Sequence, residues 1–280
     1  MSHNLLQHHL FPTLEKGKST FFVLIDNLRW DQWKTIQAKF SELFRITDED
    51  LFCAILPTST QYSRNSIFAG LMPVDIEKNY PVEWKNDDEE GGKNLHEEEF
   101  FKAQLKRLGK SDLKFSYTKI TNNNDGQRLV DTIQDLMHND INIIVYNFVD
   151  MLSHARTEME VLKELAGDET SYRSITQSWF EHSPLHQALK KMADKNINII
   201  LATDHGSARV KTPAKVIGDK QTTTNLRYKH GRNLNYEARD VLAFRDPKEA
   251  GLPVPNVYSA GLSEFVFAAG VKLMRRSEQE

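Results

Sequence analysis

The sequence predicts an α/β fold with a mainly parallel central sheet and helices on both of its faces. Apolar runs of strand length alternate along the chain with longer segments of helical periodicity, an order typical of parallel sheets. Three of the apolar runs also end in an acidic residue, namely Asp26, Asp150 and Asp204. Open α/β sheets bind ligands outside the carboxyl ends of their strands, so we expect the functional site at these strand ends.

Length and composition favour an ordinary globular domain. A chain of 280 residues can bury one full core, and 36 basic against 39 acidic residues give no strong field for nucleic acid or membranes. The lone cysteine, Cys53, lies in an apolar run and is interpreted as a buried small side chain in a reduced, cytoplasmic setting. Neither a signal peptide nor an apolar stretch of about 20 residues is found. We interpret residues 1–20 as an extension or linker and 21–275 as one domain.

The first part of the chain predicts two strands and three helices. Aliphatic and aromatic residues dominate the first strand, and the helix after it repeats Trp30, Trp33, Ile36 and Phe40 at helical spacing. Proline is expected to stop the second strand at Pro57 and the second helix at Pro73. In order, the predicted elements are a strand at 21–25, a helix at 29–43, a strand at 51–56, a helix at 60–71, a solvated loop at 75–94 and a helix at 97–108.

The second part continues the alternation and then changes character. The predicted elements are a strand at 114–120, a helix at 125–138, a strand at 141–149, helices at 153–165 and 172–195, the second interrupted near Pro184, and a buried strand at 197–203. Residues 207–235 are polar and poor in aliphatic side chains. A connection of that length in a compact domain is usually functional or mobile. The segments 240–244 and 264–269 are interpreted as late strands or a closing helix.

The acidic strand ends are accompanied by histidines. Asp204 is followed directly by His205, and Asp150 precedes His154 by four residues, which places both on one helix face if a helix begins at Asp150. With Asp26 they form an oxygen and imidazole ligand set without thiolate, which suits Zn²⁺, Mn²⁺ or a similar divalent ion. Taken singly, each has a structural interpretation as a turn residue, a hydrogen-bonded pair or a surface histidine.

One further histidine and a group of cations lie in the polar segment. His230 could complete a metal site or could be an ordinary loop residue, and the sequence favours neither. The basic side chains around Tyr228 could bind a polyanion. A charged loop is more often simply solvated. These cations are Lys211, Lys215, Lys220, Arg227, Lys229 and Arg232.

A hydroxyl-rich segment follows the second predicted strand. Thr60 opens the next helix, where unpaired backbone N–H groups and the helix dipole favour an alkoxide and bind phosphoryl oxygens. Thr60 is therefore the best candidate nucleophile, with Thr58 and Ser59 as competitors. Arg64 lies one turn further on, where its guanidinium could grip a phosphate or a sulfate. The simpler alternative, favoured by this segment alone, is that one of the hydroxyls caps the helix.

In chain order, these residues resemble the alkaline phosphatase superfamily, in which two metal ions flank a serine or threonine nucleophile. The matching positions are Asp26, Thr60, Asp150, His154, Asp204, His205 and His230. The spacing of Thr60 and Arg64 also resembles the sulfatase signature, but threonine cannot be oxidised to formylglycine, so the resemblance points to phosphate esters. The segment from Pro57 to Thr60 is similar to the nucleophile segment of nucleotide pyrophosphatase/phosphodiesterases.

More narrowly, residues 22–33 and 56–65 resemble a PglZ domain, most closely the C-terminal effector of PorX-type response regulators. The resemblance implies a zinc-dependent phosphodiesterase for cyclic or linear oligonucleotides. It also implies a receiver domain in the full-length protein and partners in type IX secretion. One ion would be held by Asp26, Asp204, His205 and Thr60, and the other by Asp150, His154 and His230. Arg64 would stabilise the phosphoryl charge, and Asn27 and Asn65 would assist at the rim.

Two rival functions are compatible with the same residues. In one, the chain is a non-catalytic, metal-stabilised module that binds a nucleotide or a protein in signalling. In the other, it is a phosphomonoesterase or phosphomutase of the same superfamily. Turnover above a metal-only control separates the first from an enzyme, and a comparison of monoesters with diesters separates the second.

Overall fold

A computed structural model of the chain describes residues 1–86, 89–208, 210, 212–220, 222–253, 263–268 and 272–277, the last two segments and Thr157 by their backbone alone. The chain divides into two compact units. The parallel-sheet unit comprises Leu5–Cys53 and Leu105–Ser207. The mixed-sheet unit comprises Met1–Asn4, Ala54–Gln104 and Ala208–Glu280.

The secondary structure alternates as expected over most of the chain. The strands are β1 (Ser19–Ile25), β2 (Phe115–Ile120), β3 (Ile141–Tyr146), β4 (Ile197–Ala202), β5 (Thr212–Ile217), β6 (Tyr228–Arg232), β7 (Asn235–Tyr236), β8 (Val241–Phe244), β9 (Ser263–Ala268) and β10 (Lys272–Ser277). The helices are α1 (Trp30–Ser41), α2 (Thr60–Ala69), α3 (Pro73–Asn79), α4 (Glu97–Arg107), α5 (Asn123–Leu136), α6 (Phe148–Glu158), α7 (Glu160–Leu165), α8 (Glu169–His182) and α9 (Pro184–Met192).

The parallel-sheet unit contains a four-stranded, wholly parallel sheet in the order β2-β3-β1-β4. Ile25 pairs with Tyr146 of β3, and Leu24 pairs with Ala202 of β4, so the carboxyl ends of the three strands are level. Every residue of β1 and β3 is buried, which means that both faces of the sheet centre are covered. The predicted parallel sheet is confirmed, and its central strand ends directly before Asp26.

Helices pack on this sheet through one continuous apolar cluster. Phe21, Val23 and Ile25 of β1 point into it, together with side chains of α1, α5, α8 and α9. The start of α9 follows the expected capping chemistry, because Ser183 accepts a hydrogen bond from the His186 amide. Pro184 at the first position of α9 explains the break that the sequence predicted there.

The mixed-sheet unit is built from shorter strands. One three-stranded sheet has the order β10-β5-β7, with a parallel and an antiparallel pair, and the other has the antiparallel order β6-β9-β8. A small apolar cluster around Val216 and Leu234 supports them. Helix α2 is buried from Tyr62 to Ala69 and ends at Gly70, whose positive φ of 61° closes it.

The predicted strand at 51–56 is wrong. These residues form no strand, and the amide of Ile55 donates to Ser2 Oγ at 3.0 Å instead of to a neighbouring strand. An apolar run indicates that a segment prefers to be buried, but it does not show that a neighbouring strand is available to pair with it. The apolar run at 51–56 therefore did not justify the prediction of a strand. The same segment leaves Cys53 exposed, which overturns the prediction of a buried thiol.

Further differences concern the ends of elements and the late strands. The polar segment 207–235 contains β5 and β6 and is therefore not one long loop. Pro73 begins α3 instead of closing α2 with a loop. Strand β4 is half-buried, because it lies at an edge of the four-stranded sheet. Of the predicted loop at 75–94 and the late segment at 264–269, Asp87, Asp88 and Ala269 lie outside the described residues.

The first residues of the chain are folded. Ser2–Asn4, Leu6–Leu10 and Phe11–Thr13 form short helical turns, and Leu6 and Leu10 are fully buried. No helix in the part of the chain that the structure describes is both long and apolar enough to cross a bilayer.

Candidate metal centre

Asp26 is the first residue beyond β1. Its amide donates to the carbonyl of Tyr146 at 2.9 Å, which continues the sheet hydrogen bonding by one residue and leaves the carboxylate at the strand end. The side chain is buried at 1% exposure. Asn27 then adopts a φ of 62°, in the left-handed region, and turns the chain into α1. The sequence predicts this position because an apolar strand that ends in an acid delivers the acid to the sheet edge.

Asp204 is fixed by backbone donors. Its Oδ1 accepts the amide of Asn27 at 3.2 Å and the amide of His205 at 2.9 Å. Two donors on one oxygen orient the carboxylate and stabilise its charged form. Thr203 also stabilises the backbone on both sides of Asp204, because its hydroxyl accepts a hydrogen bond from the Leu28 amide at 3.1 Å and donates one to the carbonyl of His205 at 2.8 Å. No pattern in the sequence indicates this role of Thr203.

His205 is oriented by a contact on the far side of its ring. Its Nδ1 lies 3.3 Å from the carbonyl oxygen of Gly206. A carbonyl can only accept, so the hydrogen-bonded tautomer carries its proton on Nδ1 and leaves the lone pair on Nε2. Nε2 faces the carboxylates, at 3.5 Å from Asp26 Oδ1 and 3.9 Å from Asp204 Oδ2. This is the arrangement typical of a metal-binding histidine.

Asp26, Asp204 and His205 therefore form a buried cluster of candidate metal ligands. One ligand atom from each lies within 4.8 Å of the other two, and all three side chains are buried. Two carboxylates so close together repel each other in a low-dielectric site unless a cation compensates them. Two oxygens and one imidazole nitrogen fit zinc or manganese, so the donor set passes the chemical test for a divalent ion.

Asp150 and His154 lie beside this cluster on α6. The prediction that a strand runs to Asp150 is wrong, because β3 ends at Tyr146 and Asp150 lies in the first turn of α6. His154 Nε2 lies 3.5 Å from Asp150 Oδ2, which confirms that the two share a helix face. Asn27 Nδ2 donates to Asp150 Oδ1 at 3.2 Å. Burial raises the pKa of the Asp150 carboxyl above its ordinary value, and the charge of Asp26 raises it further. The His154 side chain is 68% exposed, so this pair is more open than the buried cluster.

A network of arginines holds α6 in place. The ring of Tyr172 lies between the guanidinium groups of Arg29 and Arg156, at 5.3 and 4.6 Å from its centroid. Glu169 pairs with both arginines. Arg29 follows the Asp26 turn and Arg156 belongs to α6, so the network links the segments that carry the two carboxylates.

Thr60 is the first residue of α2 in the mixed-sheet unit. Ser59 precedes it as the N-cap in an extended conformation. Asn94 Nδ2 donates to the carbonyl of Thr60 at 3.1 Å, and Arg227 Nη1 donates to the carbonyl and hydroxyl of Thr58. Ser59 makes no side-chain capping bond, so the capping interpretation is not supported for that residue. The start of α2 is thus held mainly by side chains.

Arg64 is buried in an ion pair that the sequence did not suggest. Its Nε lies 2.5 Å from Glu97 Oε1, and both side chains are almost completely buried. Glu97 opens α4, where an acid at a helix N-terminus is expected for reasons of the dipole alone. Because the helix dipole alone accounts for Glu97, the sequence did not indicate that Glu97 pairs with Arg64. The buried pair links α2 to α4 and neutralises the Arg64 charge.

His230 lies in β6 and is completely buried. Burial lowers its pKa to about 3, so the imidazole is neutral at physiological pH, as a metal ligand must be. Among the neighbouring cations, Arg227 and Lys229 donate to backbone carbonyls, whereas Lys215 and Lys220 are exposed. Lys211 lies outside the described residues. The cations therefore do not form one exposed basic loop.

The parallel sheet with carboxylates and an imidazole at its carboxyl ends is an arrangement found in α/β metalloenzymes. The family model described as the BREX system PglZ alkaline phosphatase-like domain matches residues 5–270. The chain therefore belongs to the PglZ family. No curated protein matches it significantly.

Two solved structures share the fold. Murine ectonucleotide pyrophosphatase/phosphodiesterase 5 aligns over 93% of this chain and 81% of its own, with 11% identity and a TM-score of 0.57. A second structure of that murine protein, described as inactive through a Thr-to-Ala substitution and in complex with AMP, covers 92% and 80% with 10% identity and a TM-score of 0.52. At these identities, the likeness concerns the fold.

Proposed function

We propose that this chain is a divalent-cation-dependent phosphodiesterase that acts on nucleotides, with Thr60 as its nucleophile. The observation that carries the proposal is the buried cluster of Asp26, Asp204 and His205 at the carboxyl end of the parallel sheet. Membership of an alkaline-phosphatase-like family supports a hydrolase, and it also supports metal dependence. Two buried carboxylates this close together are unfavourable unless a cation compensates their charge.

The cations are assigned to the residues in two groups. Asp26, Asp204 and His205 would hold the first, and Asp150, His154 and His230 the second, with zinc as the expected metal and manganese as the alternative. When bound, such ions polarise a phosphoryl oxygen and lower the pKa of an attacking hydroxyl or water. The carboxylates contribute the negative charge that retains the ions, and the Gly206 carbonyl keeps His205 in the binding tautomer.

Thr60 is assigned the covalent step. Its Oγ would give up its proton to solvent and attack phosphorus, and the leaving-group oxygen would depart with the electron pair of the broken P–O bond and take up a proton. Water would then cleave the phosphothreonine, releasing the phosphate product and returning a proton to the threonine oxygen. The start of α2 favours charge on phosphoryl oxygens because backbone N–H groups point outward there. In the murine protein of the same fold, a Thr-to-Ala variant is described as inactive and was captured with AMP. This supports both a threonine nucleophile and a nucleotide substrate here.

Arg64 is assigned a supporting role. Glu97 already neutralises its guanidinium, and both groups are buried. We therefore propose that Arg64 positions α2 and the Thr60 hydroxyl at its start, in place of the direct phosphate grip expected from the sequence. Removal of one member of the pair would then disturb the helix together with catalysis.

The finer assignments rest on the resemblance of residues 22–33 and 56–65 to the PorX-type effector domain. On that basis we propose cyclic or linear oligonucleotides as substrates and a cytoplasmic role as the output domain of a response regulator. A receiver domain and type IX secretion proteins would be the partners. A nucleotide complex in a protein of the same fold is consistent with the substrate class.

Hydrolysis of bis(p-nitrophenyl) phosphate tests the central assignment. The wild-type protein with zinc or manganese should turn the diester over, and a chelator should abolish the turnover. Thr60→Val should lose activity on the order of 1000-fold while retaining the metal, because only the nucleophilic oxygen is removed. Thr60→Ser should retain measurable activity. Thr132→Val, an exposed threonine on α5, is the matched control.

The outcomes separate the rival functions. Full activity in Thr60→Val would assign the nucleophile elsewhere. Faster turnover of p-nitrophenyl phosphate than of the diester would favour a phosphomonoesterase. Binding of a nucleotide without turnover above a metal-only control would indicate the non-catalytic module. A screen of short linear and cyclic nucleotides then defines the substrate.

A further inference from the structure

Asn27 has a conformation that few non-glycine residues adopt. It follows Asp26 at the end of β1, its φ is 62°, and its side chain is buried at 2% exposure. Asparagine is among the residues that tolerate the left-handed region best, so the turn alone is compatible with its presence. Left-handed conformations held at the edge of a candidate site are often part of how the site is organised.

The contacts of Asn27 extend in two directions. Its backbone N–H donates to Asp204 Oδ1 at 3.2 Å, and its side-chain Nδ2 donates to Asp150 Oδ1 at 3.2 Å. Asp204 belongs to the buried cluster, whereas Asp150 is paired with His154 on α6. One residue thus touches a carboxylate from each of the two groups to which we assign cations.

The remaining polar atom of the side chain is unusual. Asn27 Oδ1 is buried and has no hydrogen-bond donor among the residues that the structure describes. A buried acceptor without a donor is unfavourable, and such atoms in native proteins generally have a partner from water or an ion. The Asn27 side chain therefore retains the capacity to accept one further hydrogen bond at this site.

A second asparagine shows what a turn alone requires. Asn233 is the other non-glycine residue with positive φ in the described part of the chain, at 52°, and its side chain is exposed. It fulfils the backbone requirement without buried polar contacts. The side-chain contact of Asn27 with Asp150 is therefore not a by-product of the left-handed conformation.

We infer that Asn27 is the positioning residue that couples the two cation groups, because it fixes the Asp150 carboxylate relative to the Asp204 carboxylate. The inference rests on the proposed metal centre and predicts that only one of the two cation groups depends on the Asn27 side chain. The buried group binds its cation independently of the Asn27 side chain, since only the backbone N–H reaches Asp204. The group on α6 depends on the side chain, since Nδ2 holds Asp150.

Cation titration of Asn27→Gly separates the two contacts. Glycine accepts the positive φ and retains the backbone N–H, so the turn is preserved and only the side chain is lost. Calorimetric titration with Zn²⁺ or Mn²⁺ should show two sites in the wild-type protein. We expect the buried cluster to be the tighter site. In Asn27→Gly this site should keep its cation affinity within about threefold, and the weaker site on α6 should lose about 10- to 100-fold in affinity. Asn233→Gly is the matched control and should titrate as the wild type does.

A double-mutant cycle checks the route of the effect. Asp150→Asn weakens the second site directly. If Asn27 acts through Asp150, the double variant Asn27→Gly/Asp150→Asn should bind the second cation no more weakly than Asp150→Asn alone. Circular dichroism and thermal unfolding without metal establish that each variant is folded. An additive loss in the double variant would show that Asn27 acts by another route and would overturn the inference.

The remaining outcomes are equally decisive. Unchanged affinities at both sites in Asn27→Gly overturn the coupling, as does an equal loss at both sites. Two sites in the wild type with either of these results leave the metal centre intact and remove only the role of Asn27. A wild-type protein that binds neither Zn²⁺ nor Mn²⁺ overturns the proposed function together with the inference.

Discussion

The two units hold their candidate functional residues by different means. In the parallel-sheet unit, Asp26 and Asp204 stand at strand ends, and backbone amides fix their position or orientation. In the mixed-sheet unit, the start of α2 is held by side chains, chiefly Asn94 and Arg227, and α2 itself by an ion pair with Glu97. The geometry of a site held by backbone hydrogen bonds is set by the sheet itself. The geometry of a site held by side chains can be lost when one of those residues is replaced. The two units should therefore respond differently to substitution.

The largest effect is expected at the buried cluster. Asp204→Asn removes a ligand charge but keeps the shape and the backbone contacts, so the fold should persist while metal content falls. Activity should drop on the order of 1000-fold, because stabilisation by a cation is worth several kcal/mol. Elemental analysis and diester turnover measure both quantities. Asp131→Asn, an exposed acid on α5, is the control. Unchanged zinc in Asp204→Asn would refute the ligand assignment.

The next effect is expected in the mixed-sheet unit. Glu97→Ala removes the buried acid that pairs with Arg64 and should lower the free energy of unfolding by about 3–5 kcal/mol. Denaturant unfolding measures the loss. The double variant Arg64→Met/Glu97→Leu should regain most of it, because an apolar pair removes the uncompensated charge. A stable Glu97→Ala protein that has lost only activity would instead restore Arg64 as a direct phosphate ligand.

A smaller effect is expected at Thr203. Thr203→Val keeps the shape but removes the acceptor for the Leu28 amide and the donor to the His205 carbonyl. The free energy of unfolding should fall by about 1–3 kcal/mol, because a part-buried backbone amide loses its partner. Cation affinity should fall by less than it does in Asp204→Asn. Thr132→Val provides the control for the change in composition. Cation affinity reduced as far as in Asp204→Asn would show that backbone donors alone do not fix the cluster.

The smallest effect is expected at Arg227. Arg227→Met removes the donor to the Thr58 carbonyl and hydroxyl while keeping the length of the side chain. We expect a fall in kcat of about tenfold, equivalent to about 1.4 kcal/mol, with cation stoichiometry unchanged. Steady-state kinetics measures kcat, and elemental analysis measures the cation stoichiometry. A change in metal content would mean that this arginine does more than hold the segment before Thr60.

The sequence predicted the parallel-sheet unit well for a physical reason. Strands buried on both faces, such as β1, need continuous apolar runs, and an acid that ends such a run must lie at the sheet edge. The apolar runs were therefore enough to predict that Asp26, Asp204 and His205 lie at one edge of the sheet, whereas the adjacency of β1 and β4 that brings them together was not given by them. The side-chain contact from Asn27 to Asp150 could not be predicted in this way, because it depends on one dihedral angle and on the direction of α6.

The mixed-sheet unit was less predictable. Strands β5 and β6 lie in a polar stretch, and β6 pairs with β9, a segment distant in sequence, so neither has a local apolar signature. Conversely, residues 51–56 have strand composition but no strand partner. Burial of Arg64 was also hidden, because its partner Glu97 lies more than thirty positions away, with no pattern linking them.

The strand order of the parallel sheet has a consequence for how the protein is made. Asp204 and Asn27 are 177 positions apart, yet they meet because β4 adds to the free edge of β1 after β2 and β3 have been synthesised. A nascent chain that has not yet added β4 lacks two of the three cluster residues, Asp204 and His205. Closing so long a loop costs entropy that a cation bound across the β1–β4 junction would help to offset. Metal binding would then show that the last strand of the parallel sheet has docked, and hydrogen exchange in β4 should slow when zinc is supplied.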